Sequence, residues 1–173
     1  MHKEDLRRQI RQIKRQFTLK QLEELSLPIV TRLRQQLSGS KTIVAYYPLP
    51  DEVDIRPLLD EWIAEGKSVI LPKVTGDDTM ELRRYTGYDD LQEGAFHILE
   101  PVGELFTDFA SIDVVLVPGV AFDAEGHRLG RGRGYYDKFL RTLTVQTIGV
   151  CFDFQKVDEV PFDKYDIPVD EVI

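Results

Sequence analysis

Residues 118–140 read PGVAFDAEGHRLGRGRGYYDKFL, and glycine alternates with arginine from Gly130 to Gly134. The apolar run DVVLV at 113–117 comes just before this stretch and predicts a buried strand. The stretch ends in a predicted helix over 135–143, whose apolar side chains at 136, 139, 140 and 143 share one face. The order of strand, glycine-rich loop and helix is typical of an α/β sheet.

The composition of this loop suits an anionic ligand. Glycine lets the backbone turn tightly and approach a ligand, and the N–H groups at a helix start favour negative charge. Arg131 and Arg133 add planar donor groups that match phosphate oxygens. Tyr135 follows the last glycine, so the loop is neither a Walker A motif nor the GxGxxG dinucleotide motif. The pattern predicts a phosphate-binding loop; a tight loop without a ligand and an arginine–glycine nucleic-acid contact remain alternatives.

Length and charge narrow the class of protein. A chain of 173 residues is expected to form one domain over 1–173. The net charge of −8 argues against a nucleic-acid partner, which requires a basic surface. Residues 126–141 nevertheless carry five basic side chains and one acidic side chain, a local excess that suits a small polyanion.

The single cysteine and the hydropathy pattern indicate the compartment. Cys151 lies in the apolar run 147–152 and is expected to be a buried strand residue in a reducing environment. No signal peptide is evident, and no apolar run reaches the length that spans a bilayer. We therefore expect a cytoplasmic protein with no membrane partner. A monomer is the expected oligomeric state, although this pattern does not determine it.

The remaining pattern alternates helices and strands. Helices are predicted over 3–17 and 55–65, and between them Thr18 is expected to cap a further helix in a capping box with Gln21. The expected buried face of that helix is Leu22, Leu25, Ile29, Leu33 and Leu37. Pro28 is expected to kink or interrupt it.

Strands are predicted over 42–47, 68–71, 82–85 and 147–152, and a turn over 76–78. The strand at 42–47 is expected to be central. The alternation predicts a single-domain, three-layer Rossmann-like α/β fold, a mainly parallel sheet with helices on both faces. Tyr47, Glu52 and Lys73 follow predicted strand ends, where open sheets bind ligands. From the pattern alone, however, packing in the core is the favoured expectation for Tyr47 and a solvated loop charge is the favoured expectation for Glu52.

The loop and both ends of the chain also carry a resemblance. The run PGVAFDxxGxRLGRGRGYYDKFL, together with Lys3-Glu4-Asp5-Leu6-Arg7 and the terminal VDEV at 169–172, resembles the 5-formyltetrahydrofolate cyclo-ligase family. The resemblance implies an ATP- and Mg²⁺-dependent ligase that converts 5-formyltetrahydrofolate, with or without a polyglutamate tail, to 5,10-methenyltetrahydrofolate. ADP and phosphate are the other products that it implies.

The same resemblance implies roles for individual residues. Arg131 and Arg133 would stabilise the transferring phosphoryl group, and Asp137 and Asp170 would hold magnesium. Tyr47, Glu52 and residues 131–135 would contact the folate, with the Glu52 carboxylate accepting hydrogen bonds from the pterin ring. The implied nucleotide-binding residues are Lys3, Arg7, Arg128, Leu129, Gly130, Arg131, Gly132, Arg133, Gly134, Tyr135 and Tyr136.

Two further residues lie in the segment 94–101, which resembles the family's extended segment that crosses the pocket. Phe96 is a candidate for stacking on the folate, but burial in the core is the favoured expectation. His97 has no second histidine or cysteine at metal spacing, which argues against a zinc site.

Three other functions remain as alternatives. One is a sugar-phosphate isomerase or CoA-transferase-like enzyme on a similar sheet, for which no base or nucleophilic glutamate is identified. The second is a folate- or nucleotide-binding module without turnover. The third, RNA binding through the arginine–glycine run, conflicts with the net acidic charge.

Overall fold

The computed structural model describes residues 1–76 and 79–173; Asp77 and Asp78, in the predicted turn at 76–78, lie outside the described residues. In this part of the chain the α-helices are α1 (Lys3–Lys14), α2 (Leu19–Gln36), α3 (Arg56–Ala64) and α4 (Tyr135–Arg141). The strands are β1 (Thr42–Val44), β2 (Ser68–Thr75), β3 (Thr79–Tyr85), β4 (Leu91–Glu93), β5 (Leu99–Pro101), β6 (Leu105–Phe106), β7 (Val114–Pro118), β8 (Ala121–Phe122), β9 (Arg128–Leu129), β10 (Gln146–Val150) and β11 (Glu171–Val172).

The main sheet runs in the order β11-β10-β7-β1-β2-β3-β6. The first five strands in this order are mutually parallel, and β3 and β6 add an antiparallel edge. Strand β1 is the middle strand, and its Ile43 pairs with Val69 on one side and Val114 on the other. The predicted mainly parallel α/β fold, with a central strand near residue 42, is confirmed.

Successive side chains of a strand point to opposite faces of the sheet, and helices cover both of these faces. Ile43 and Ala45 belong to a buried cluster with α2 and α3, whereas Val44 belongs to a second cluster with α4. The result is the predicted three-layer arrangement. No helix among the described residues is both long and apolar enough to span a bilayer.

Helix α2 begins at the predicted capping box, but its buried face differs from the prediction at one position. The Thr18 hydroxyl accepts from the Gln21 N–H at 3.1 Å, and the Gln21 side chain accepts from the Thr18 N–H at 2.8 Å. The helix continues through Pro28 without interruption. Leu25, predicted to be buried, is 41% exposed, and Ser26 is buried in its place. The Ser26 hydroxyl donates to the Leu22 carbonyl at 2.9 Å and accepts from the Asp54 N–H at 2.9 Å, so its burial leaves no polar atom unpaired.

The decisive stretch contains a β-hairpin, β8–β9, that the sequence pattern did not predict. The hairpin packs against α1, where Leu6 and Ile10 share a buried cluster with Ala121 and Leu129. Its turn holds the C-terminal segment, because Gly126 accepts a hydrogen bond from the Val169 N–H at 2.8 Å. The hairpin therefore brings both ends of the chain beside the glycine-rich loop.

Candidate functional site

The glycine-rich loop, residues 130–134, forms one wall of a cavity of about 710 Å³ at the carboxyl end of β7. Pro118 and Gly119, at the end of that strand, line the same cavity. Gly132 and Gly134 have φ angles of 109° and 73°, a backbone region that favours glycine, so the shape of the loop depends on them. All the residues predicted for the nucleotide, Lys3, Arg7 and 128–136, line this cavity, which we call the cationic cavity.

Helix α1 contributes two cations to the cationic cavity. Arg7 Nε donates to the Gly130 carbonyl at 2.8 Å, which ties the helix to the loop. The other end of the Arg7 guanidinium pairs with Glu4 at 3.0 Å. Lys3 Nζ lies 2.6 Å from Asp166 Oδ2 and 3.4 Å from Asp163 Oδ2, so the start of α1 is also tied to the C-terminal segment. These contacts bring together residues that are distant in sequence.

Arg128 is the buried cation of the site. Its Nη1 donates to the Pro118 carbonyl at 3.3 Å, its Nη2 lies 3.8 Å from Asp137 Oδ2, and its guanidinium carbon lies 5.2 Å from the centroid of the Tyr136 ring. Nε has no hydrogen-bond partner among the described residues. Burial lowers the pKa of Arg128, and the Asp137 charge opposes that effect. An anion in the cavity would compensate this desolvated charge.

Of the three aspartates considered for the site, two lie in the cationic cavity and one lies outside it. Asp137 and Asp166 line the cationic cavity, and Asp137 Oδ1 accepts from the Ile167 N–H at 3.0 Å. Asp170 does not line it. Its carboxylate accepts from the Thr147 N–H at 2.9 Å, near the amino end of β10 and away from the loop. The sequence reasoning missed Asp166, because nothing in the local pattern distinguishes it from the other acidic residues of the C-terminal segment.

A second cavity of about 560 Å³ adjoins the first, and Glu52 and Ile98 line both. We call it the aromatic cavity, since Tyr47, Tyr88 and Phe96 line it. The two predicted substrate residues, Tyr47 and Glu52, therefore lie in its wall, whereas Lys73 lines neither cavity.

Glu52 occupies the boundary between the two cavities. Its Oε1 accepts from the Leu49 N–H at 2.8 Å, and its Oε2 lies 3.8 Å from Arg131 Nη2. Burial raises the pKa of Glu52 above its ordinary value, opposed by the Leu49 hydrogen bond and by Arg131. A buried carboxylate held in one orientation beside a cation is suited to recognising a planar hydrogen-bond donor edge.

The segment predicted to be extended over 94–101 is part of the two-stranded hairpin β4–β5. Phe96, expected in the core, is 92% exposed at its tip, so that expectation was wrong. The reason is that β4 and β5 form a separate small sheet, and the turn between them contributes to the aromatic cavity instead. The His97 ring pairs with the Glu93 carboxylate. No cluster of three or more potential metal ligands occurs within 1–76 and 79–173.

The fold and the site define a class of protein. A mainly parallel α/β sheet carries, at its carboxyl edge, a cationic cavity beside the glycine-rich loop and an adjoining cavity lined by aromatic side chains. The chain belongs to the 5-formyltetrahydrofolate cyclo-ligase family, whose model matches residues 1–173.

Individual relatives agree with this assignment. The chain is 30% identical to the 5-formyltetrahydrofolate cyclo-ligase of Escherichia coli K12, over 95% of each protein. The structure resembles the 5,10-methenyltetrahydrofolate synthetase of Aquifex aeolicus with a TM-score of 0.85 and 38% identity, covering 99% of this chain and 89% of that one. It resembles the Mycoplasma pneumoniae 5,10-methenyltetrahydrofolate synthetase with a TM-score of 0.82 and 28% identity, covering 100% and 98%.

Proposed function

We propose that this protein catalyses the ATP- and Mg²⁺-dependent conversion of 5-formyltetrahydrofolate to 5,10-methenyltetrahydrofolate, with release of ADP and phosphate. The observation that carries the proposal is the junction of the two cavities at Glu52, 3.8 Å from Arg131. A reaction between two bound molecules requires such adjoining sites, since holding both reactants in place supplies much of the rate enhancement.

The two cavities have different chemistry, and the proposal assigns one reactant to each. Lys3, Arg7 and Arg128 supply positive charge in the cationic cavity, which suits the phosphates of a nucleotide. The aromatic cavity offers Tyr47 and Phe96 as flat surfaces for the folate rings. Glu52 would accept hydrogen bonds from the pterin, which orients the formyl group toward the nucleotide.

The reaction needs positioning and charge stabilisation rather than a protein nucleophile. The formyl oxygen attacks the γ-phosphorus, the bond to the ADP oxygen breaks, and the formyl group becomes a phosphorylated iminium. The neighbouring folate nitrogen adds to that carbon to close the five-membered ring and loses its proton, and phosphate leaves with the former formyl oxygen and takes up a proton to become hydrogen phosphate. Arg131 and Arg133 would stabilise the charge on the transferring group.

The residues present fit a magnesium ion. Asp137 and Asp166 both line the cationic cavity, and Mg²⁺ in nucleotide sites takes one or two carboxylates together with phosphate and water. A bound ion would neutralise charge on the phosphates. Our proposal replaces Asp170 with Asp166, because the Asp170 carboxylate is engaged by Thr147 outside the cavity. Asp166 is paired with Lys3, so the ion and Lys3 would share that carboxylate.

The test is an absorbance assay for methenyltetrahydrofolate in the presence of ATP, Mg²⁺ and 5-formyltetrahydrofolate. We expect turnover in the wild type and a loss of about 100-fold or more in kcat for Asp137→Ala and Arg131→Ala. Asp153→Ala, which removes a fully exposed carboxylate elsewhere, is the control. Normal rates in both site variants would reject the site assignment, and no turnover in the wild type would reject the reaction.

We also propose that the enzyme acts as a cytoplasmic monomer. The net charge of −8 and the lone buried Cys151 support this proposal. Light scattering on the eluted protein is expected to give the mass of one chain, and the mass of two or more would contradict it.

A further inference from the structure

A third cavity, of about 180 Å³, lies between α1 and the glycine-rich loop. Arg7, Arg11 and Lys14 reach it from α1, since residues four and three apart share one face of a helix. Arg131 reaches it from the loop. The acidic residue in its wall is Asp51. Four cations therefore surround a small space that contains one carboxylate.

The carboxylates beside these four cations compensate their charge only in part. Asp51 lies 3.6 Å from Lys14 Nζ and 3.7 Å from Arg131 Nη2, and both distances exceed the length of a hydrogen bond. Arg7 is held by Glu4 and by the Gly130 carbonyl. Within the residues that the structure describes, the exposed Arg11 side chain makes no hydrogen bond or ion pair. Lys14 and Arg131 therefore share Asp51, and Arg131 also lies 3.8 Å from Glu52 Oε2, so these two carboxylates face the three cations Arg11, Lys14 and Arg131.

Lys14 shows the consequence of this imbalance. Its side chain is only 14% exposed, and burial lowers the pKa of the ammonium group. Arg131 lowers that pKa further, while Asp51 and Glu52 raise it. Other charges facing the group are Arg7 and Arg11 on its own helix. A buried cation among cations is unfavourable unless an anion joins it.

The size of the cavity limits the anion. Its volume corresponds to about six water molecules at ~30 Å³ each, which accommodates a tetrahedral oxyanion with some water. The cavity also adjoins the site of phosphoryl transfer, because Arg7, Gly119 and Arg131 line both this cavity and the cationic cavity.

We infer that the third cavity binds inorganic phosphate, the product of the reaction, between Arg7, Arg11, Lys14 and Arg131. This inference rests on the proposed function for the identity of the ligand. Arg7 and Arg131 can contact an oxyanion from either cavity, so phosphate has a continuous cationic path out of the cationic cavity. Arg11 and Lys14 belong only to the third cavity and define the second site.

To measure phosphate binding in the third cavity alone, the nucleotide site in the cationic cavity is first filled with a nucleotide analogue. Protein saturated with Mg²⁺ and a non-hydrolysable β,γ-imido analogue of ATP is titrated with inorganic phosphate by calorimetry. We expect one phosphate per chain in the wild type, and about tenfold weaker binding or more in Arg11→Gln and Lys14→Met, as for loss of a charged hydrogen bond. Arg15→Gln removes an exposed cation just beyond the same helix and is expected to bind like the wild type.

Several results would overturn the inference. Absence of phosphate binding in the loaded wild type would do so, as would equal affinities in Arg11→Gln, Lys14→Met and Arg15→Gln. Phosphate binding that is lost in Lys3→Gln but retained in Lys14→Met would place the anion in the cationic cavity instead. Failure of the turnover assay with phosphate binding intact would reject the proposed reaction and not the anion site.

Discussion

The ion pair between Lys3 and Asp166 predicts that replacing Lys3 changes the affinities for divalent metal and for ATP in opposite directions. The Lys3 ammonium lies 2.6 Å from the Asp166 carboxylate, and their side chains are 33% and 14% exposed. We propose Asp166 as a magnesium ligand and Lys3 as a phosphate ligand. Replacing Lys3 with glutamine should therefore make divalent metal bind more tightly in the absence of nucleotide and make ATP bind more weakly.

The geometry sets the expected size of each effect. Unit charges about 4 Å apart interact by about 1 kcal/mol in water and about 4 kcal/mol at an effective dielectric constant of 20. Because Lys3 is a third exposed, we take the lower value, which predicts about fivefold tighter metal binding. Loss of a charged hydrogen bond to phosphate, about 1.5 kcal/mol or more, predicts about tenfold weaker ATP binding.

The assay uses Mn²⁺ as a paramagnetic replacement for Mg²⁺. Its binding to nucleotide-free protein is measured by electron paramagnetic resonance, and ATP binding by calorimetry. Arg8→Gln removes another cation of α1, paired with Asp5 at 3.2 Å outside the cavity, and should change neither affinity. Unchanged or weaker Mn²⁺ binding to Lys3→Gln would refute the reasoning, because Lys3 and the metal would then not compete for Asp166.

Three further predictions concern other parts of the molecule. Burial raises the pKa of Glu52 above its ordinary value, so the KM for 5-formyltetrahydrofolate should rise as the pH falls toward that pKa, where the carboxylate becomes protonated. Steady-state kinetics should show this dependence flattened in Glu52→Gln, and an identical profile would contradict it. Burial raises the pKa of Cys151 to about 12, so iodoacetamide should label the native protein far more slowly than the urea-unfolded protein; equal rates would be inconsistent with a buried thiol. Gly126→Ala should lower the free energy of unfolding by about 2–4 kcal/mol, because φ is +87° and the new Cβ would lie 2.1 Å from the Val169 carbonyl oxygen. Urea denaturation tests this against Gly39→Ala, whose Cβ meets nothing within 4 Å, and similar stability of the two variants would disprove it.

Several helices and strands of this protein can be predicted from local sequence, because the interactions that form them act between residues close together in the chain. The capping box of Thr18 and Gln21 joins residues three apart, and it starts α2 where the pattern predicts. The β-branched runs predict the strands, and the alternation of strands with helices predicts the parallel sheet. The glycines and arginines of residues 130–134 likewise predict an anion-binding loop from local sequence alone.

Tertiary structure decided which distant residues complete the site. Lys3 and Asp166 are 163 residues apart, and they meet because the β8–β9 hairpin packs on α1 and its turn holds the C-terminal segment. That packing brings Asp166 to the cationic cavity, whereas Asp170 is hydrogen-bonded to Thr147 outside it. The local sequence around these two aspartates does not show which of them lines the cavity. The exposure of Phe96 has the same origin, since the pairing of β4 with β5 places Phe96 in the turn between them. Local propensity selects the elements, but the side chains that converge depend on how those elements pack.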